Sequence, residues 1–138
     1  MMFIETSAFV AILAGEPEAD LYLAAVDGAI RRQTGAHVRL EATINLARIL
    51  GLEILDAQEM FDAFLQAAKI TVVPITDAIA RRAVEAFAVY GKGKGHPAQL
   101  NFADCLSYAC AHSLNIPILF KGRDFTETDL KSALPDAS

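Results

Sequence analysis

Four carboxylates in this chain, Glu5, Glu41, Asp104 and Asp124, are far apart in sequence yet fall where a site is expected. Glu5 ends a short apolar run, Met2-Phe3-Ile4, and Asp124 follows a second run, Ile118 to Phe120, just past the Lys121-Gly122 turn. Asp104 sits in the first turn of the helix expected before that second run. Glu41 lies between Leu40 and Ala42 on an otherwise apolar helical face, four residues before Asn45. Asp and Glu are rarely buried unless paired or bound to a metal. Acids converging in this way suit magnesium or manganese, hard cations that take oxygen ligands and complete their shells with water or substrate phosphate oxygens. Each acid also has a plain structural reading. Asp104 fits a helix dipole, Asp124 fits a turn, and Glu41 fits a solvent-facing position.

The elements that must position these acids alternate. Met2 to Ile4 reads as a buried parallel strand that hands over to a helix over Ala8 to Ala14, with Thr6-Ser7 as its N-cap chemistry and Gly15 as its stop. Glu16-Pro17-Glu18 opens a helix to about Val26. Arg32 to Thr34 is a short strand, and Val38, Leu40, Ala42, Ile44, Ala47 and Ile49 fit a helix from Ala36 to about Ile49, ending at Gly51. Asp56 caps a helix through about Ala68. Ile70 to Val73 is a β-branched strand closed by Pro74, and Thr76 caps a helix from Asp77 to Tyr90. Gly91 to Pro97 has loop composition, Asn101 to Leu114 reads as a helix, Ile118 to Phe120 as the last strand, and Gly122 to Asp129 as turns. Alternating strands and helices predict an α/β fold of three layers, a central short parallel sheet flanked by helices. Sites in such sheets gather beyond the C-terminal ends of the strands.

Length and composition bound the rest. The 138 residues fit a single domain, and a hydrophobic fraction of 54% argues against disorder. No apolar run reaches membrane-spanning length, and no basic stretch precedes the N-terminal apolar residues, so a cytoplasmic protein is expected. Cys105 and Cys110, five apart on one helix, point in different directions and do not pair, in keeping with a reducing compartment. The net charge of −5 argues against wholesale electrostatic capture of nucleic acid. Carboxylates gathered around divalent cations weaken that objection, because bound metal inverts the local field.

Three segments carry a resemblance. Phe3-Ile4-Glu5-Thr6-Ser7-Ala8, the run from His96 through Asn101 and Asp104 to Ala109, and Leu119-Phe120-Lys121-Gly122-Arg123-Asp124-Phe125-Thr126-Glu127-Thr128-Asp129-Leu130 resemble PIN-domain ribonucleases, specifically the VapC-type toxins of bacterial toxin–antitoxin pairs. The likeness spans essentially the whole chain. It implies that Glu5, Glu41, Asp104 and Asp124 are the first to fourth acids of a catalytic, metal-binding set. Thr6 or Ser7 is then the hydroxyl that orders the first acid, Asn101 the polar residue at the mouth, and Asp129 a further acid at the rim. It further implies a Mg2+- or Mn2+-dependent endoribonuclease acting on a structured RNA such as tRNA and leaving a 5′-phosphate and a 3′-hydroxyl. The implied partners are a VapB-type antitoxin, a second copy of the chain, and operator DNA reached only through the antitoxin.

One residue departs from the pattern: the family's first acid is normally aspartate, and this chain has Glu5. The added methylene moves the carboxylate by about one C–C bond, and misplacements of about 1 Å are costly in catalysis. An alternative of a different class therefore stands beside the enzyme, a weakened or silent domain that binds RNA or protein. A DNA nuclease of similar metal chemistry is a third. Gly91-Lys92-Gly93-Lys94-Gly95 lacks the spacing of a phosphate loop and follows no strand, which leaves an RNA-contacting loop or a solvated one. Arg81-Arg82 fits a solvent-exposed pair, and His96 and His112 are expected in structural roles. The helix bearing Phe61 and Phe64 suits the core or a partner contact.

Overall fold

The computed structural model describes residues 1–134. The N-terminal apolar run forms strand β1 (Met2–Ile4), buried along its length. Strands β2 (Arg32–Gly35), β3 (Ile70–Val73) and β4 (Ile118–Leu119) complete a parallel sheet in the order β3-β2-β1-β4. Parallel neighbours cannot be joined by tight hairpins, so helices occupy the connections. They are α1 (Thr6–Leu13), α2 (Ala19–Gly28), α3 (Ala36–Leu50), α4 (Ile54–Ala67), α5 (Asp77–Tyr90) and α6 (Phe102–Leu114). The expected helix-flanked parallel sheet is the architecture observed. Among the described residues, no helix is long and apolar enough to cross a membrane.

The core joins the inner strands to the helices. Phe3, Ile4, Ile118 and Leu119 are fully buried, and Thr34 is accommodated among them because its hydroxyl donates to the Ile4 carbonyl at 2.7 Å. Phe9 of α1 lies 4.8 Å from the ring of Phe61 and meets Phe64 edge-on at 6.0 Å, which binds α1 to α4. Complete burial of such a side chain stabilises the fold by roughly 1.5–3 kcal/mol. Phe61 and Phe64 thus serve the core. Cys105 and Cys110 are buried and free, as their spacing required.

Several local expectations are corrected. Helix α1 begins at Thr6, and Glu5 rather than Thr6-Ser7 is its N-cap, its carboxylate accepting from the Ser7 amide. Helix α2 begins at Ala19, after Glu18. Helix α4 begins at Ile54 with Glu53 as cap, which places Asp56 in the first turn. On α3 the buried stripe is Val38, Ala42 and Leu46, spaced one turn apart, whereas Leu40 and Ile44 are 64% and 49% exposed. At 3.6 residues per turn, a residue two positions from a buried one faces nearly the opposite way. Leu40 and Ile44 therefore belong to the outer face of this helix.

Candidate active site

The site grows from the adjacent C-terminal ends of β1 and β4. Ile4 and Leu119 are register partners, and the Glu5 amide donates to the Leu119 carbonyl at 3.0 Å, so both strands leave the sheet together. Helix α1 starts immediately after β1. The Ser7 amide reaches the Glu5 carboxylate at 3.0 Å and the Ser7 hydroxyl donates to the same oxygen. That hydroxyl in turn accepts from the Lys121 amide at 2.7 Å. One serine thus fixes the first acid and ties it to the segment carrying the fourth. Thr6, its neighbour, donates its hydroxyl to Oε1 of Glu41 across the α1–α3 contact.

Asp104 is held by its own helix end. Asn101 caps α6, accepting from the Asp104 amide at 2.8 Å, while Oδ2 of Asp104 accepts from the Asn101 amide at 3.0 Å. This reciprocal capping box satisfies two orphan donors and fixes the carboxylate at the helix mouth. Asp124 follows the turn at Gly122, whose φ of +103° suits glycine. Phe125 anchors that turn, buried 5.3 Å from the Phe120 ring, and leaves Asp124 exposed. Glu5, Glu41, Asp104 and Asp124 all line one open cavity of about 450 Å³, together with Thr6, Ser7 and Asn101.

Burial sets the electrostatics. Desolvation pushes Glu5 up to about 7 against the pull of its Ser7 hydrogen bonds, and the charges of Glu41 and Asp104 push the same way. Asp104 rises to about 6, again mainly by desolvation, opposed by the Asn101 amide and reinforced by Asp124 and Glu41. Glu5 thus feels Glu41 and Asp104, and Asp104 feels Asp124 and Glu41, across the cavity. Mutual repulsion among partly desolvated carboxylates is the condition that a bound divalent cation relieves.

Seven of the eight expected residues come together, and Asp129 does not. Its carboxylate accepts from the Tyr108 hydroxyl at 2.6 Å and lies 3.5 Å from Nε2 of His112, away from the acid cavity. There it fastens the C-terminal segment to α6. His112 also contacts Arg82 at 2.7 Å, and His96 packs edge-on against Tyr90 while accepting from the Ala98 amide, so both histidines have structural contacts. The cavity adds two cations that sequence reasoning missed, Lys121 and Arg48. Lys121 pairs with Glu16 and Glu18 beside the cavity. Its proximity to Asp124 was available as a signal, and Arg48 follows Glu41 by two helical turns.

The donor set fits an oxygen-preferring divalent cation. It offers five carboxylates, of which Glu16 is paired with Lys121, and no cysteine or histidine, and its two most buried members, Glu5 and Asp104, are desolvated and pressed further by like charge. Among the described residues, no three acidic, cysteine or histidine side chains stand close enough together to hold an ion as they are placed. The fit therefore rests on the donor chemistry and the shared cavity.

Comparison with known proteins gives the family. The PIN domain family matches residues 2–131. The chain is 40% identical to ribonuclease VapC28 of Mycobacterium tuberculosis, over 96% of this chain and 98% of that protein. It is 36% identical to a VapC ribonuclease of Rhizobium meliloti, over 94% and 99% respectively. The crystal structure of Mycobacterium tuberculosis VapC20, described as a sarcin-ricin loop cleaving toxin, superposes with a TM-score of 0.79 at 20% identity, covering 98% of this chain and all of that one. A toxin–antitoxin complex from Klebsiella pneumoniae gives 0.69 at 16% identity, over 94% and 93%. The chain belongs to the PIN-domain family, on its VapC ribonuclease branch.

Proposed function

We propose that this chain is a Mg2+- or Mn2+-dependent endoribonuclease toxin whose catalytic, cation-holding residues are Glu5, Glu41, Asp104 and Asp124. The observation that carries the reading is the meeting of these four acids around one cavity at the strand ends. The relatives named VapC ribonuclease support the activity, and the Klebsiella pneumoniae complex supports an antitoxin partner, which the family reading makes one of the VapB type. The silent-module alternative suggested by Glu5 is not favoured, since the relatives that match nearly the whole chain carry the ribonuclease name.

Glu5, Glu41, Asp104 and Asp124 would hold a divalent cation, which would supply charge neutralisation at the phosphate and a more acidic attacking water. The chain's own residues prepare that site. Ser7 holds Glu5, Thr6 holds Glu41 and the Asn101 box holds Asp104, so three acids are oriented before substrate arrives. Asp124 reaches the cavity from a rigidly anchored turn. Asn101 stands at the mouth, and Arg48 offers positive charge to an otherwise acidic wall that must admit a phosphodiester, while the Lys121 charge is already matched by Glu16 and Glu18. The substrate is a structured RNA such as tRNA, the working form a cytoplasmic homodimer that assembles with its antitoxin, and operator DNA is contacted through that antitoxin alone.

Induced expression in growing bacteria tests the reading. Growth arrest with RNA cleavage is expected for the wild-type chain and not for Asp104→Asn, and co-expression of a small DNA-binding antitoxin should relieve it. Arrest of equal strength by Asp104→Asn would refute it.

A further inference from the structure

A buried contact joins the two helices that carry the second and third acids. His37, in the first turn of α3, places Nε2 2.7 Å from the Ser107 hydroxyl of α6. Ser107 is fully buried, and Nδ1 of His37 is buried without a partner. Desolvation holds His37 down at about 4, so the ring is neutral and the contact is a hydrogen bond between neutral groups. The ring lies in a made slot. A Cβ on Gly35 would stand 2.5 Å from Cε1 and 2.7 Å from Nδ1 of the ring, and 3.4 Å from Sγ of Cys110. Glycine at position 35 is therefore what lets the imidazole fold back between β2 and α6.

The placement of the two residues gives the contact its meaning. His37 precedes Glu41 by four residues on α3, and Ser107 follows Asp104 by three on α6. Such spacings keep each pair on one helical face. Glu41 and Asp104 repel across the cavity, and the His37–Ser107 bond lies one turn behind each of them. We propose that His37 and Ser107 are positioning residues that hold α3 against α6 and so set the separation of Glu41 and Asp104 for the cation.

This inference rests on reading the acids as a cation site, and its test separates the two. Mn2+ binding is measured without RNA, by the electron paramagnetic resonance signal of free Mn2+, for the wild type, Asp104→Asn, His37→Ala, Ser107→Ala and the double variant. Second-layer partners of metal ligands are typically worth roughly 10–100-fold in affinity. His37 and Ser107 sit one step behind such partners, so each single variant is expected to weaken Mn2+ binding at the low end of that range, about tenfold, and the double variant no more than the worse single. His37→Gln, which can still reach Ser107, should recover part of the loss. Gly35→Ala should weaken binding alone and have little effect when His37 is already alanine. Lower melting temperatures with wild-type Mn2+ affinity in both single variants would overturn the positioning role and leave the site standing, as would additive losses in the double variant. Failure of the wild type to bind Mn2+ better than Asp104→Asn would overturn both.

Discussion

Glu5→Gln isolates the charge of the most buried acid from its hydrogen bonds. An amide oxygen can still accept from the Ser7 amide and hydroxyl, so the start of α1 keeps its cap. What disappears is a carboxyl raised from 4.5 to about 7, with 7% of the residue exposed. At about 1.4 kcal/mol per pH unit, that difference corresponds to at most about 3–4 kcal/mol. The folded state binds this proton more tightly than the unfolded chain does. Below pH 4.5 both states are protonated and the wild type has no penalty. As pH rises from about 4.5 to 7 the unfolded state loses its proton first, so the wild type loses stability across that window and carries the full penalty above it. Thermal unfolding in a chelator should therefore show Glu5→Gln and wild type alike near pH 4.5. At pH 8 the variant should melt higher, by an amount on the order of 10 °C if the full effect is realised. Saturating Mg2+ should stabilise the wild type at pH 8 more than the variant. Equal melting temperatures at pH 8 in the chelator, or a gain of the same size at both pH values, would refute the account of a desolvated, charge-strained Glu5.

Other outcomes follow from the same geometry. Glu5→Asp keeps a good N-cap residue and restores the family's shorter reach, and ribonuclease activity with Mg2+ or Mn2+ is expected to rise; equal or lower activity would show that the site is built around the longer side chain. Cation binding must displace protons from Glu5 and Asp104, so Mn2+ affinity measured by titration should fall as pH drops from about 7 to 5; a flat profile would contradict their part in binding. Tyr108→Phe removes the hydroxyl bound to Asp129 and should cost about 1 kcal/mol in denaturant unfolding. Neither it nor Asp129→Asn should change cleavage more than about twofold if Asp129 acts only through that stability, and a large catalytic loss in Asp129→Asn would return that acid to the site.

The order of elements was legible because short runs, most of them β-branched or apolar, alternate with capped, periodic segments, and that order located Glu5, Asp104 and Asp124 near element ends, while their assignment as one set with Glu41 came from the resemblance. The cap of α1 was not. Glutamate is an uncommon N-cap, and Thr6-Ser7 offered the more usual chemistry, so the double role of Glu5 as cap and acid shows only in three dimensions. The outer face of α3 was misread for a related reason. Leu40 and Ile44 are apolar, yet periodicity gives the phase of a stripe only when one stripe is apolar, and here Val38, Ala42 and Leu46 form the other. Asp129 shares a motif with Asp124, but the four residues of turn between them carry it round to Tyr108 and His112. The His37–Ser107 contact joins positions 70 residues apart, which no local pattern records.

The most direct measurement is cleavage of purified RNA by the purified chain, with the ends of the products identified. Cleavage is expected in Mg2+ or Mn2+, leaving 5′-phosphates, stopping in a chelator, sparing DNA, and falling at least about a hundredfold in Asp104→Asn and in Asp124→Asn. Cleavage that persists in the chelator, or that survives either substitution undiminished, would contradict that expectation.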